Sequence, residues 1–227
     1  MKLSSRLSAL ARLIRAGKRM ADIGTDHGYL PAYLLDQRIC PFVYCCDVNP
    51  LPLKRAKQTF FALALTDGVS FVLSDGMTGL VSTDVEDVVI AGMGGDMIAH
   101  ILEQGFSDGK VYEHIRFLLQ PMSKAEKLRD YLGKNGFSRD EEVLVEDEGR
   151  VFLIFCCTYD GKERTISEED VYFGAEHLQN PSSLAQKHRE LCCHRLRKAK
   201  AGKEQAGKDA SFETRMLSIV NDIKTRG

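Results

Sequence analysis

The turn after the first apolar segment carries acidic residues where a nucleotide-binding loop usually carries glycine. Residues 19–30 read Arg-Met-Ala-Asp-Ile-Gly-Thr-Asp-His-Gly-Tyr-Leu, an apolar stretch that enters a glycine-containing turn. A dinucleotide-binding loop has the spacing G-x-G-x-x-G, because backbone N–H groups and a helix N-terminus must approach a pyrophosphate. Here the glycines are Gly24 and Gly28, and Asp26 takes the place of the middle glycine. Because a carboxylate repels a pyrophosphate, this pattern argues against NAD.

The same acidic turn is compatible with a cationic ligand. S-adenosylmethionine (SAM) carries a sulfonium and an ammonium group and no phosphate, so nearby carboxylates favour its binding. Asp22, just before the turn, could bind the amino-acid end of this cofactor. The pattern D-x-G-x-D-x-G over residues 22–28 therefore predicts a SAM-type cofactor. The other predicted cofactor-binding residues of this segment are Gly24, His27, Gly28 and Tyr29.

Acids and glycines recur at the ends of the next two apolar segments. Asp47 lies 25 residues after Asp22, where its carboxylate could accept hydrogen bonds from both ribose hydroxyls. Asn49 follows and begins the next predicted helix. After the third segment, Asp75 could accept from the exocyclic amine of adenine, and Gly76 would let the backbone approach the ring. These residues predict a binding site for an adenosine group.

A fourth turn, residues 90–95 (Ile-Ala-Gly-Met-Gly-Gly), ends the next apolar segment. Ligands of open α/β sheets bind at the carboxyl ends of the strands, so four such turns in register predict one shared site. Met93 is expected to shape the methyl-donor pocket. The predicted cofactor-binding residues are Gly92, Met93 and Gly94, and the predicted substrate-binding residue is Gly95.

The elements that position these turns alternate between strand-like and helix-like segments. The predicted strands are 19–23, 42–46, 69–73, 87–91, 114–120, 142–145 and 151–159. The predicted helices are 29–37, 52–65, 96–104 and 124–135. Such alternation predicts an α/β fold of parallel βαβ units with helices on both faces. The last two strands have no helix between them, which predicts a terminal antiparallel hairpin.

The C-terminal part of the chain is predicted to be helical and basic. We expect it to form a separate domain over 161–227, after a cofactor domain over 1–160. Helix caps are expected at Ser167 and at Ser182, followed by a long helix to about Lys200, a turn over 202–207 and a last helix. Two long helices joined by a short turn are expected to pair as an antiparallel, coiled-coil-like hairpin.

Basic residues concentrate in this region: residues 187–208 contain eight basic and two acidic side chains. A charge run is often only a solvated helix face, but next to a catalytic-looking domain it also suggests contact with a phosphate backbone. The predicted RNA-contacting residues are Arg195, Arg197, Lys198 and Lys200.

Taken together, these motifs resemble the bacterial tRNA (adenine-22-N1)-methyltransferase family, of the TrmK type. The resemblance extends over essentially the whole chain. The residues that carry it are 22–31 (Asp-Ile-Gly-Thr-Asp-His-Gly-Tyr-Leu-Pro), 46–49 (Cys-Asp-Val-Asn), 74–76 (Ser-Asp-Gly) and 90–95. It implies a Rossmann-like class I methyltransferase sheet followed by a helical hairpin. It also implies methyl transfer from SAM to N1 of adenine 22 in the D-arm of tRNA.

Methylation at adenine N1 needs little acid–base catalysis from the protein. N1 already has a lone pair, so the reaction requires alignment with the methyl group and tolerance of the positive charge that moves onto the base. N1 belongs to the pairing edge, so the base must be unpaired or flipped. Asp26 is the predicted catalytic residue, with capping of helix 29–37 as its alternative role. His27 and Tyr29 could contact the base or the cofactor, or have structural roles.

Composition and missing motifs exclude several other classes of protein. The chain has 31 basic and 32 acidic residues and no apolar run near the ~20 residues that span a bilayer. Its seven cysteines lack zinc-type spacing, so we expect no metal. Without an Asn/Asp-Pro-Pro-aromatic motif, exocyclic amines are disfavoured as targets. We therefore expect a cytoplasmic monomer that binds tRNA and no membrane. A methyltransferase for another RNA or a small molecule, or a non-catalytic RNA-binding module, remains an alternative.

Overall fold

Residues 1–80 and 84–226 are described by the structure, a computed structural model, with side chains up to Asn221. Contacts divide the chain into two units, Met1–Thr165 and Ile166–Gly227. The first unit contains a mixed sheet, and the second is helical. No helix among the described residues combines the length and the apolar character that crossing a bilayer requires.

The sheet of the first unit has seven strands in the described part of the chain, in the order β3-β2-β1-β4-β5-β7-β6. The strands are β1 (Met20–Ile23), β2 (Val43–Asp47), β3 (Val69–Leu73), β4 (Asp87–Gly94), β5 (Arg116–Ser123), β6 (Phe137–Asp147) and β7 (Arg150–Tyr159). Strands β1 to β5 are parallel, and β7 pairs antiparallel with both β5 and β6. The predicted Rossmann-like sheet with a terminal antiparallel hairpin is confirmed.

Strand order reverses next to β1, which lies between β2 and β4. The crossovers from β1 to β2 and from β4 to β5 therefore leave the sheet in opposite directions. The crevice between the two carboxyl ends is the usual ligand site of open α/β sheets.

Helices flank these strands. They are α1 (Ser5–Leu13), α2 (Tyr29–Asp36), α3 (Pro50–Ala62), α4 (Gly95–Ser107) and α5 (Ala125–Lys134). Helix α1 was not among the predicted helices. Its N-terminus is capped by the Ser4 hydroxyl, which accepts from the Leu7 N–H, and its buried face includes Leu10.

Alternate strand residues face opposite layers of the core. Val88 and Ile90 of β4 pack into one hydrophobic cluster, whereas Val89 packs into the other. Phe117 and Leu118 of β5 divide in the same way. A central strand buried on both faces explains why these segments read as continuous apolar runs.

Strand β6 is longer than predicted, because it begins at Phe137 and not at residue 142. Residues 138–141 are Ser-Arg-Asp-Glu, and a register shift separates Arg139 from Glu141. Since β6 is the outermost strand, polar side chains there remain solvated. Their polarity concealed the strand from a search for apolar runs.

The second unit contains α6 (Glu168–Phe173), α7 (Ala175–Leu178), α8 (Ser183–Gln205) and α9 (Ser211–Arg226). The predicted caps are confirmed: Ser167 accepts from Asp170 N–H, and Ser182 accepts from Ala185 N–H.

Helices α8 and α9 pack against each other as the predicted antiparallel hairpin. Lys203 near the end of α8 pairs with the buried Glu213 in the first turn of α9. Leu196, Met216 and Val220 belong to the apolar cluster of this unit.

The turn predicted over residues 202–207 is present at Ala206 and Gly207, but it begins later than predicted. Helix α8 continues through Gly202 to Gln205, and the connection to α9 begins at Ala206. An isolated glycine costs a helix only about 1 kcal/mol, which pairing with α9 compensates.

Candidate active site

A cavity of about 390 Å³ lies at the carboxyl ends of β1 and β4. Its walls come from the turn after β1, from Ala91 and Gly92 of β4, and from Arg6 and Leu7 of α1. This is the crevice where the strand order reverses. The predicted residues Asp22, Gly24, Asp26, His27, Tyr29 and Gly92 all line it.

The turn after β1 is tied to the neighbouring strand through its backbone. The N–H groups of Gly24 and Thr25 donate to the Cys46 carbonyl at 2.8 and 3.0 Å. Gly24 has φ +78°, and a Cβ there would overlap the Met93 methyl group. Glycine at this position therefore keeps the turn compact and brings Met93 close to the cavity.

Asp26 adopts a backbone conformation that usually requires glycine, with φ 45°. Aspartate tolerates the left-handed region better than most residues. The conformation of the turn is thus preserved while a carboxylate is added. The side chain is 62% exposed, and its oxygens lie 3.5 Å from Arg55 Nη1 and 3.8 Å from His27 Nε2.

Asp26 does not cap the helix that follows. Helix α2 begins at Tyr29, its capping position is Gly28, and no side chain caps its N-terminus. The alternative structural role of Asp26 is therefore wrong. Its carboxylate is left at the mouth of the cavity.

His27 and Tyr29 form a stacked pair at the same mouth. Their ring centroids are 5.1 Å apart and their planes differ by 7°. Tyr29 is 45% exposed, so a large part of this side chain does not pack in the core.

Asp22 is buried at the end of β1, with 7% of its surface exposed. Burial raises the pKa of its carboxyl group to about 6, and the nearby Asp47 carboxylate adds to this shift. The Thr25 hydroxyl and the Arg6 guanidinium partly offset it. A buried carboxylate with a raised pKa is a group that a cationic ligand would stabilise in its ionised form.

The acid at the end of β2 also helps to shape its turn. Asp47 Oδ1 accepts from the Asn49 N–H at 2.9 Å. Asn49 occupies the N-cap position of α3, and its side chain makes no capping hydrogen bond there. In the register of the two strands, Asp47 pairs with Leu73 of β3.

Asp75 and Gly76 follow β3, with Asp75 exposed and Gly76 buried. The neighbouring Val48 and Leu73 are both more than half exposed. Exposed apolar side chains beside these polar residues could pack against the flat faces of a purine ring. Sequence reasoning missed these two residues, although apolar positions next to Asp47 and Ser74 were a visible signal.

The last residues of β4 pack tightly against the end of β5, and α4 follows directly at Gly95. Register shifts surround Met93, and Gly94 pairs with Ser123. A Cβ at Gly95 would overlap the Lys124 carbonyl oxygen, so no side chain fits there. The predicted contact of Gly95 with substrate stays a prediction.

Two functional candidates, Arg6 and Gln120, were missed by the sequence patterns. Gln120 lies within the buried part of β5 and has no exposed surface. Its Oε1 accepts from Arg6 Nη1 at 2.6 Å and from Gly92 N at 3.2 Å. A glutamine inside the apolar run Phe-Leu-Leu-Gln-Pro was the available signal, because buried polar groups require partners.

The predicted RNA-contacting residues lie on α8 in the second unit. Arg195, Arg197 and Lys198 are exposed, whereas Lys200 is half-buried with its Nζ 3.7 Å from Glu204. Successive helical residues are separated by about 100°. Arg195 and Lys198 therefore lie on one side of the buried stripe, with Arg197 and Lys200 on the other.

Among the described side chains, no cluster of three or more His, Cys, Asp or Glu groups could hold a metal ion.

Comparison with known proteins agrees with this geometry. Residues 3–155 match the family described as a methyltransferase domain. The tRNA (adenine(22)-N(1))-methyltransferase of Bacillus subtilis (strain 168) is 31% identical over 181 residues, which cover 80% of this chain and 74% of the relative. A Mycoplasma pneumoniae protein named "putative tRNA methyltransferase" is 32% identical over 180 residues, 77% of this chain and 80% of that protein.

Solved structures extend the similarity to both units. The crystal structure of B. subtilis TrmK, an m1A22 tRNA methyltransferase, has a TM-score of 0.84 and 25% identity and covers 98% of each chain. Streptococcus pneumoniae Sp1610, crystallised with SAM, has the same score and identity over 98% of this chain and 99% of its own. The chain belongs to the TrmK-type tRNA (adenine(22)-N(1))-methyltransferase family of class I methyltransferases.

Proposed function

We propose that this protein transfers a methyl group from SAM to N1 of adenine 22 in tRNA. The observation that carries the proposal is the acidic turn from Asp22 to Asp26 at the crevice between β1 and β4, in a chain 31% identical to an enzyme named for this reaction. The turn has the backbone form of a nucleotide-binding loop and charges that exclude a pyrophosphate.

The groups around the cavity fit the parts of SAM. Asp22 suits the ammonium group, and the buried Thr25 hydroxyl lies beside this carboxylate. Gly24 and Gly92 leave room for the chain of the cofactor. Asp47 is assigned to the ribose hydroxyls, and Asp75 with Gly76 to the adenine ring, beside the exposed Val48 and Leu73. The remaining cofactor contacts are assigned to His27, Gly28, Tyr29, Asn49, Met93 and Gly94.

The residues at the mouth support methylation of a ring nitrogen. SAM supplies a methyl group that is electrophilic because it is attached to a positively charged sulfur. The N1 lone pair attacks without a general base, so the protein has to hold the base and stabilise its new positive charge. Asp26, exposed at the mouth, is our candidate for that charge, and the exposed face of Tyr29 is a platform on which a flipped adenine could stack.

We assign the two units different tasks. The cofactor domain is placed over 1–160 and the RNA-contacting domain over 161–227, near the observed division after Thr165. The basic residues of α8 are assigned to the phosphate backbone of tRNA. We further propose that the protein acts as a monomer in the cytoplasm.

A direct test is nucleoside mass spectrometry of unmodified tRNA after incubation with the protein and SAM. The expected product is 1-methyladenosine, and reverse-transcription stops are expected at position 22. Methylation of another nucleotide, or only of small molecules, would favour the first alternative. Binding of SAM and tRNA without any product would favour a non-catalytic RNA-binding protein.

Replacing Asp47 with alanine is expected to weaken SAM binding by about 1.5–3 kcal/mol, roughly 10- to 150-fold. The reason is the loss of charged hydrogen bonds to both ribose hydroxyls. Isothermal titration calorimetry measures the affinity, and urea unfolding shows whether the variant remains folded. Asp36→Ala, which changes an exposed carboxylate of α2, is the control. An unchanged affinity in Asp47→Ala would refute the ribose assignment.

Charge reversal on α8 is expected to weaken tRNA binding more than tenfold and to leave SAM binding unchanged. Each lost phosphate contact should also reduce the slope of log K against log salt by ~0.7–0.9. Filter binding across a salt series measures both quantities. The variant carries glutamate in place of Arg195, Arg197, Lys198 and Lys200.

A control variant must change the net charge equally at exposed sites of the first unit. Suitable positions are Lys2, Arg12, Arg38 and Lys162, all exposed. If both variants lose the same tRNA affinity, the effect is one of overall charge and α8 is not the RNA-contacting surface.

A further inference from the structure

We infer that Arg6 of α1 binds the carboxylate of the methionine part of SAM, so that Arg6 and Asp22 together recognise its amino-acid group. The inference rests on the proposed function, because it assumes that SAM occupies the cavity at the ends of β1 and β4. Neither residue is near the other in sequence. They meet because both line the same cavity.

The guanidinium of Arg6 is held at the floor of the cavity. Its Nη1 donates to Gln120 Oε1 at 2.6 Å and would lie 3.8 Å from a Cβ placed on Gly92. The Gln120 amide is itself fixed, since its Nε2 donates to the Pro121 carbonyl at 3.0 Å and its Oε1 also accepts from Gly92. This buried amide therefore positions Arg6 and Gly92 of β4 together.

Arg6 retains hydrogen-bond donors for a ligand. A guanidinium has five N–H groups in a planar fork that matches a carboxylate. The described contacts of the side chain are the bond to Gln120 and the Phe152 ring, whose centroid lies 5.7 Å from Arg6 Cζ. No described residue accepts a hydrogen bond from Nε or Nη2, so these groups can meet a bound anion.

Charge supports a carboxylate over other anions. A fixed cation beside a sulfonium and an ammonium would oppose SAM binding unless it paired with the one negative group of that molecule. An RNA phosphate would have to pass Asp26 and approach the buried Asp22, which repel it. The free amino-acid end of SAM carries both charges, and the cavity offers one partner for each.

Helix α1 is anchored at both ends, which fixes the position of Arg6 before the ligand arrives. At its start, the Ser5 N–H donates to Asp147 Oδ1 at 3.1 Å. Two residues beyond its end, Arg15 pairs with the buried Asp87 at 2.6 Å. A preorganised cation loses little conformational entropy on binding.

The test compares SAM with decarboxylated SAM, which keeps every other group of the cofactor. We expect the wild type to bind decarboxylated SAM about 10- to 100-fold more weakly, the effect of one charged, bidentate pair. Arg6→Met should lose a similar factor for SAM and change less than threefold for decarboxylated SAM. Arg12→Met, an exposed arginine of the same helix, should bind both like the wild type.

Two results would overturn the assignment. One is equal affinity of the wild type for the two ligands, a measurement that needs no variant and so does not depend on whether Arg6→Met folds. The other is an equal loss for both ligands in folded Arg6→Met, which would make Arg6 only a support for Gln120 and the end of β4. If the wild type binds no SAM at all, the proposed function fails, and that outcome is distinct from both.

Discussion

Replacing Asp22 with asparagine is expected to stabilise the fold at neutral pH while weakening SAM binding. The folded protein raises the pKa of Asp22 from 3.8 to about 6 because the carboxylate is buried. Each pKa unit corresponds to about 1.4 kcal/mol. Ionisation of this group at pH 7.5 therefore opposes folding by about 3 kcal/mol, which the neutral amide avoids.

Because the pKa of Asp22 is raised in the folded protein, the stability difference between the two proteins depends on pH. Asp22 binds its proton more tightly in the folded than in the unfolded chain, so its contribution to stability is complete below pH ~4 and is lost as the pH rises through ~6. The stability difference between Asp22→Asn and the wild type should thus be near zero at pH 4 and reach about 3 kcal/mol at pH 7.5. Urea unfolding at several pH values measures it. Asp36→Asn, at an exposed site, should show no such trend.

The ionised form of Asp22, which opposes folding, is expected to favour SAM binding. The ammonium group requires the ionised carboxylate, so the wild-type affinity should fall up to ~10-fold per pH unit below about 6. Asp22→Asn should bind more weakly at pH 7.5 and show little change over this range. Stronger SAM binding by Asp22→Asn at pH 7.5 would contradict the assignment of Asp22 to the ammonium group.

A second large effect is expected at a buried ion pair away from the cavity. Arg129 of α5 has no exposed surface and makes a bidentate contact with Glu142 of β6, at 2.8 Å through Nε and 2.9 Å through Nη2. Arg129→Met removes the bidentate partner of this buried glutamate and leaves it paired with Arg139 of the same strand. We expect the free energy of unfolding, measured by urea unfolding, to fall by about 3 kcal/mol, the lower end of the cost of breaking a buried ion pair, because Arg139 still compensates part of the charge.

Two further variants test the cause of this loss. The double variant Arg129→Met/Glu142→Met should recover much of the stability, because the two most deeply buried charges are removed together and Arg139, the other partner of Glu142, has 17% of its side chain exposed to solvent. Lys134→Met removes the exposed pair with Asp130 on the same helix and should cost less than about 0.5 kcal/mol. A loss below 1 kcal/mol in Arg129→Met would show that Glu142 is adequately solvated without the pair.

The family, the sheet and the acidic turn could be predicted from the sequence because their signals are local. Strands buried on both faces are continuous apolar runs, and parallel strands place Asp22, Asp47 and Asp75 at the same edge wherever the helices pack. The caps at Ser167 and Ser182 are equally local, since each serine bonds an N–H three residues later.

Features that depend on packing between distant segments were decided by the tertiary structure. Residues 138–141 of β6 are polar, and Gly202 is a helix breaker, yet pairing with β7 and with α9 determines their structure. The pKa of Asp22 is raised because the folded chain buries its carboxyl group, which the residue type alone does not indicate. Arg6 and Gln120 are 114 residues apart, and only the docking of α1 against the sheet brings the guanidinium to the amide and both to the cavity.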